Sequence, residues 1–254
     1  MKLLIDFLRA FILVLFCPLV FAQNPTSSNL SIYCEDDNPL QYFDKNKNLV
    51  GMTVEIVQEI QRRLGNTDPI QVVPWARGIY KLENEENVLL FTMARTSDRE
   101  HLYQWIGPII SIEYGLFVKA NSNIQIHNLD DAKKINLIGV NRNDIRDETL
   151  SKLGFTNLDR TSTSVLSFKK LMIDRISAYA DAKSSVIFTA TNAGYQISDV
   201  KLAFDLFKSD LYIAASKNTP IEVINSWNNI LIDMKKDKTF SKIYKKYYKD
   251  ERRK

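Results

Sequence analysis

Histidine, cysteine and glycine are scarce in this chain of 254 residues, which holds 2 His, 2 Cys and 8 Gly. There is no His-Glu-x-x-His, no Cys-x-x-Cys, no Gly-x-Ser-x-Gly and no glycine-rich phosphate loop. Zinc hydrolysis, dithiol redox chemistry, elbow-serine hydrolysis and phosphate cradling therefore lack their residues, and neither a metal nor an organic cofactor is expected. Carboxylate-based acid–base chemistry stays open. A strong charge of one sign is also lacking. The 34 Lys+Arg against 30 Asp+Glu leave +4, too mild to suggest nucleic acid as a partner. The basic excess gathers in Lys245-Lys246 and from Lys249 to Lys254, and reads as a solvated tail.

Long apolar runs are missing except one, from Ala10 to Ala22, broken only by Pro18. At about 13 residues it is short for a hydrocarbon core about 30 Å thick. Lys2 and Arg9 lie before or at its start, and Val20-Phe21-Ala22 fits a small-residue cleavage site. Residues 1–22 are read as a secretory signal peptide, with cleavage after Ala22 and a periplasmic destination. Phe16 is too large to precede a lipidated Cys17. Cleavage leaves Cys34 alone, so no internal disulfide is expected and Cys34 reads as a buried, inert thiol.

What is present is an alternation of short apolar runs and helical periods. Ile32-Tyr33, Ile70 to Val73 and Val88 to Thr92 read as strands. Met52, Ile56, Ile60 and Leu64 share one helical face, and Gly65 is placed to end that helix. This rhythm predicts mostly parallel sheets flanked by helices. Tyr114 to Val118 reads as a strand running into polar residues 121–123, where the chain leaves a first lobe. The pattern then restarts: strands at Ile135 to Val140 and Ile176 to Ala180, helices at Glu148 to Leu153, Ser164 to Ile173 and Ser185 to Ala193. A return crossing is expected between Val200 to Ala203 and Leu211 to Ala215. The predicted organisation is lobe one from residues 23–117 and 207–254, and lobe two from 118–206. Pro220 opens a helix with Val223, Trp227, Ile230 and Met234 inward. A final helix carries Phe240, Ile243, Tyr244 and Tyr247.

The stretch richest in chemistry is Phe91-Thr92-Met93-Ala94-Arg95-Thr96-Ser97-Asp98-Arg99-Glu100. Ser97 and Glu100 have capping-box spacing, which predicts a helix start with Arg99 in its first turn. A cation there is opposed by about 0.3–1 kcal/mol, which points to a bound anion or an acidic neighbour, or else to an exposed surface arginine whose cost solvent screens. A guanidinium can hold a carboxylate through two parallel hydrogen bonds.

Gly51 to Leu64, then Pro74-Trp75-Ala76-Arg77, then Arg95 to Glu100, then Leu211-Tyr212-Ile213-Ala214-Ala215-Ser216, together resemble the bacterial extracellular solute-binding proteins of family 3. Those are periplasmic polar-amino-acid-binding proteins of ABC transporters. The resemblance implies an α/β fold of type II, two lobes joined by two crossing strands, each lobe a mostly parallel sheet flanked by helices. It implies a monomer that closes on a small carboxylate-bearing ligand, an amino acid or a relative, and hands it to an ABC permease. It puts Arg99 on the ligand carboxylate, with Thr92 and Ala94 beside it; Ala94 stands where serine is common and offers only its backbone N–H. From the second lobe it implies Asp144, which either accepts from a ligand ammonium or only caps its own helix, and Asp181 for the ligand α-amino group, although Asp181 is one position early and Ser177 replaces a usual aspartate. Tyr42, with Phe43, resembles an aromatic lid. Trp75, Arg77 and Arg95 are subgroup features whose cationic members would suit a second acidic group on the ligand. A dehydratase on the same fold, with Asp181 or Asp144 as general acid, and a periplasmic sensory module are the rival readings.

Overall fold

The computed structural model describes residues 29–248; the signal peptide, Cys17 and the tail from Lys249 lie outside the described residues. Ten strands and eight helices are described. The first lobe opens with β1 (Ser31–Cys34), β2 (Tyr42–Phe43), β3 (Leu49–Val50), α1 (Met52–Leu64), β4 (Ile70–Val72), α2 (Trp75–Asn84) and β5 (Val88–Ala94). The long β6 (Gln104–Lys119) crosses to the second lobe, made of α3 (Leu129–Lys134), β7 (Ile138–Asn141), α4 (Ile145–Lys152), β8 (Leu158–Thr161), α5 (Ser164–Met172), β9 (Ala178–Ala182) and α6 (Val186–Ala193). The equally long β10 (Val200–Ala215) crosses back, and α7 (Ile221–Lys236) and α8 (Thr239–Tyr247) close the first lobe.

Eight strands form one sheet in the order β4-β1-β5-β10-β6-β9-β7-β8. The outer three at each end pair in parallel, while β10 and β6 run antiparallel to each other and to their neighbours. β10 meets β5 only over Leu211 to Ala215, and β6 meets β9 only over Tyr114 to Phe117. Between those spans the two strands pair only with each other, and among the described residues they alone carry the chain across.

The first core packs Ile32, Ile56, Ile60, Phe91, Ile213 and Trp227, all at most 2% exposed. In the second lobe Phe168, Leu171 and Tyr179 fill one side of the sheet, and Ile138, Val140 and Leu150 the other. Cys34 is buried, and burial pushes its thiol up to about 12, so it stays protonated. Among the described residues, no helix is long and apolar enough to cross a membrane.

Two glycines fix the ends of α1. Gly65 adopts a left-handed conformation (φ 69) with open space around it, so Gly65→Ala meets only the backbone penalty. We expect it to cost about 1 kcal/mol, seen as a melting temperature lowered by about 2–4 °C. At Gly51 (φ 130) a Cβ would lie 2.3 Å from the Leu40 carbonyl oxygen. That close approach seats the chain around Leu40 on the start of α1, where Thr53 N–H donates to the same oxygen at 3.0 Å.

Two sequence expectations change. The run from Ser97 to Leu102 is a series of turns, not a helix start. Glu100 cannot reach back to complete a capping box because Arg95 holds it through Nε at 2.6 Å and Nη2 at 2.5 Å. The stretches Tyr114 to Val118, Val200 to Ala203 and Leu211 to Ala215 are parts of two unbroken 16-residue strands.

Candidate functional site

The candidate site is built around the loop that follows β1. Burial of Ile32 to Cys34 ends abruptly at Glu35-Asp36-Asp37, where the chain turns away from the sheet. Backbone bonds from Asp37 N–H to Gln41 O (2.8 Å), and from Leu40 and Gln41 N–H to Asp37 O (2.8 and 3.0 Å), close the turn. Gln41, fully buried, anchors it: its Nε2 donates to Thr92 Oγ1 at 3.1 Å and its Oε1 accepts from Thr53 Oγ1 at 2.7 Å. The loop is thereby fixed to β5 and α1, with Glu35 and Asp37 facing the second lobe.

Across the gap, Asp144 caps α4. Its carboxylate accepts from Arg146 N–H at 2.9 Å and Asp147 N–H at 3.2 Å. Arg146 folds back, giving Nε to Asp144 at 2.6 Å and Nη1 to Asp181 at 2.7 Å and to Ser164 Oγ at 3.0 Å. Asp181, 2% exposed at the end of β9, also accepts from Thr189 Oγ1 (2.8 Å) and Ala182 N–H (2.9 Å). Burial still raises its pKa, with Arg146 and Thr189 opposing.

Glu35, Asp37 and Arg99 from the first lobe and Asp144, Arg146 and Asp181 from the second line one cavity. A broader groove behind the crossing strands, beside Lys183, Lys235 and Phe240, collects none of the expected residues. Arg99, 6% exposed, donates to Glu148 of α4 at 2.5 Å and lies 5.9 Å from the Trp75 ring. Trp75 Nε1 reaches Asn143 O at 3.2 Å, and Lys152 pairs with Asp98 at 2.5 Å. The lobes are therefore held face to face by direct contacts. Glu35 and Asp37 have a different character. Burial, then the neighbouring carboxylates, push Glu35 up to about 8 against Arg146. Burial, then Asp181 and Asp144, push Asp37 up to about 7, again against Arg146.

Of the residues singled out in the sequence, Arg99, Thr92, Ala94, Trp75, Asp144 and Asp181 meet at this cavity. Arg77 is exposed on α2, Arg95 is exposed and engaged with Glu100 and the rings of Trp105 and Tyr212, and Tyr42 sits in the β2–β3 hairpin; none of the three lines the cavity. Glu35, Asp37, Arg146 and Glu148 were not anticipated. The acidic run directly after a buried strand was the available signal for the first two. Arg146 and Glu148 had none, because Asp181 and Arg99, the partners from other elements that tie them into the site, lie 35 and 49 positions away. Among the described residues no group of three or more His, Cys, Asp or Glu is arranged to hold a metal ion.

Comparison with known proteins places these features. The family model of the bacterial extracellular solute-binding proteins, family 3, matches residues 30–250. No curated protein sequence matches. Among solved structures, a mutant arginine-binding protein from T. maritima is similar at 20% identity and TM-score 0.77, over 87% of this chain and 95% of that one. An ancestral arginine-binding protein bound to arginine shares 21% identity at TM-score 0.76, over 86% and 97%. A histidine kinase sensor domain with similarity to periplasmic binding proteins shares 16% at TM-score 0.79, over 87% and 96%. At these identities the likeness establishes the fold, the two-lobed type II periplasmic-binding-protein fold.

Proposed function

Because this chain belongs to the bacterial extracellular solute-binding proteins of family 3, we propose that it captures one small polar solute by closing its lobes and presents the loaded form to an ABC permease in the periplasm. The observation that supports this reading is the convergence of charged side chains from both lobes on one cavity: Glu35, Asp37 and Arg99 on one wall, Asp144, Arg146 and Asp181 on the other. A ligand bridging both walls interacts with the closed form more strongly than with the open one, which is the condition for it to drive closure. With boundaries near residues 117 and 207, the hinge is the pair β6 and β10, the only strands among the described residues that pass between the lobes.

The resemblance puts a solute carboxylate on Arg99. That guanidinium already carries Glu148, so such a solute has to displace a carboxylate of the protein itself. The test is a thermal-shift screen of the mature chain against amino acids, amines and small carboxylates, with small-angle scattering on each hit. A solute at about 100 times its dissociation constant adds about 2.7 kcal/mol of stability, and the radius of gyration should fall on binding. A screen without hits removes the capture reading; hits without compaction mean instead that the free protein already holds its lobes together, through contacts such as Arg99–Glu148 and Trp75–Asn143.

A further inference from the structure

We infer that the solute is a small organic cation without a carboxylate, held by Glu35 and Asp37, while Glu148 occupies on Arg99 the place of a ligand acid group. The inference rests on the capture reading above and names the chemical class that site selects.

Four carboxylates and two guanidiniums line the cavity. Both guanidiniums are already neutralised by the second lobe. Arg146 lies between Asp144 and Asp181, and Arg99 is bonded to Glu148 from just outside the lining. A ligand carboxylate therefore finds no free cation. Most of the α4 terminus is taken as well: the N–H groups of Arg146 and Asp147 go to the Asp144 side chain, that of Glu148 to the Asp144 carbonyl, and that of Asn143 to Asp147.

Two lining acids remain without a positively charged hydrogen-bond partner, Glu35 and Asp37. Ser185 Oγ, 3.5 Å from Asp37, is a weak neutral donor. An ammonium or guanidinium between them would offset part of the excess negative charge of the cavity. Trp75 and Tyr114 supply aromatic walls suited to an organic cation. Charge complementarity of this kind selects by excluding the wrong ligand as much as by attracting the right one.

The decisive comparison uses pairs of compounds that differ only in the α-carboxylate. Titration calorimetry with agmatine against arginine, and with cadaverine against lysine, should show the amine without the carboxylate binding at least about tenfold tighter. In Glu148→Gln, Arg99 is released, and preference should move towards arginine by about tenfold or more. Tighter binding of arginine or lysine to the natural chain, or binding of glutarate with no binding of either amine, overturns the cation assignment and leaves capture standing. Failure of every compound to bind removes the cation assignment, while the capture reading falls only if the wider solute screen is also without hits. The comparison on the natural chain is decisive even if the variant does not fold.

Discussion

Replacing Arg146 with methionine is expected to cost about 3–5 kcal/mol of unfolding free energy, the largest effect of any single site substitution considered. The side chain is 8% exposed and stands between Asp144, 8% exposed, and Asp181, 2% exposed. Methionine fills much of the volume but leaves two buried carboxylates facing each other with no cation between them. Urea unfolding at pH 7 measures the loss. Two controls give the cause. Lowering the pH should narrow the gap between natural chain and variant, because protonation relieves the stranded acids. Adding Asp144→Asn and Asp181→Asn to Arg146→Met should recover most of the loss, since replacing a buried ionic group wholesale is far less costly than breaking it. A loss below about 1 kcal/mol would mean that water, not Arg146, screens these acids.

The fold was legible wherever one face of an element is buried and the other is not. Helix α1 carries its four-residue stripe and its terminal glycine in plain view, and it runs over Met52–Leu64 as read. The crossing strands were not legible as wholes. Between Phe207 and Asp210, β10 touches only β6 and alternates between half-buried and exposed residues, so no apolar period marks it as strand. The Ser97–Glu100 spacing misled for an electrostatic reason: Arg95, two residues before Ser97, takes the glutamate that a capping box needs. In the cavity, the order of motifs brought Arg99, Asp144 and Asp181 together, but order is silent about which charges are already paired. That Arg99 meets Glu148 and Arg146 meets Asp181 depends on contacts between elements distant in the chain, and these pairs decide what charge a ligand must bring.

The same unpaired acids predict how the ligand-free protein responds to pH. Glu35 is pushed up to about 8 and Asp37 up to about 7, from ordinary values near 4. Groups whose pKa is raised by folding bind protons more tightly in the native state, so their contribution is fully present below about pH 4 and is lost as pH rises through 7 to 8. Each proton is worth about 1.4 kcal/mol per pH unit. Both side chains are part exposed, so we expect a total fall on the order of 2–4 kcal/mol between pH 5 and 8. Acids pulled the other way act at the opposite end of the scale. Glu59 is held at about 2 by Arg62 and Arg63, and Asp237 at about 2 by Thr239 and Arg63, so they withdraw support only below about pH 4. Stability should therefore peak near pH 5, and urea midpoints across the range measure it. Glu35→Gln with Asp37→Asn should flatten the fall above the peak and leave the acid limb unchanged. A cation seated between the two carboxylates reverses the preference, because it favours their ionised forms. Binding of agmatine at pH 6 should then release about one proton or more, read as a dependence of the calorimetric heat on the ionisation enthalpy of the buffer. Uptake of protons, or no exchange, would place the positive charge of the ligand away from Glu35 and Asp37.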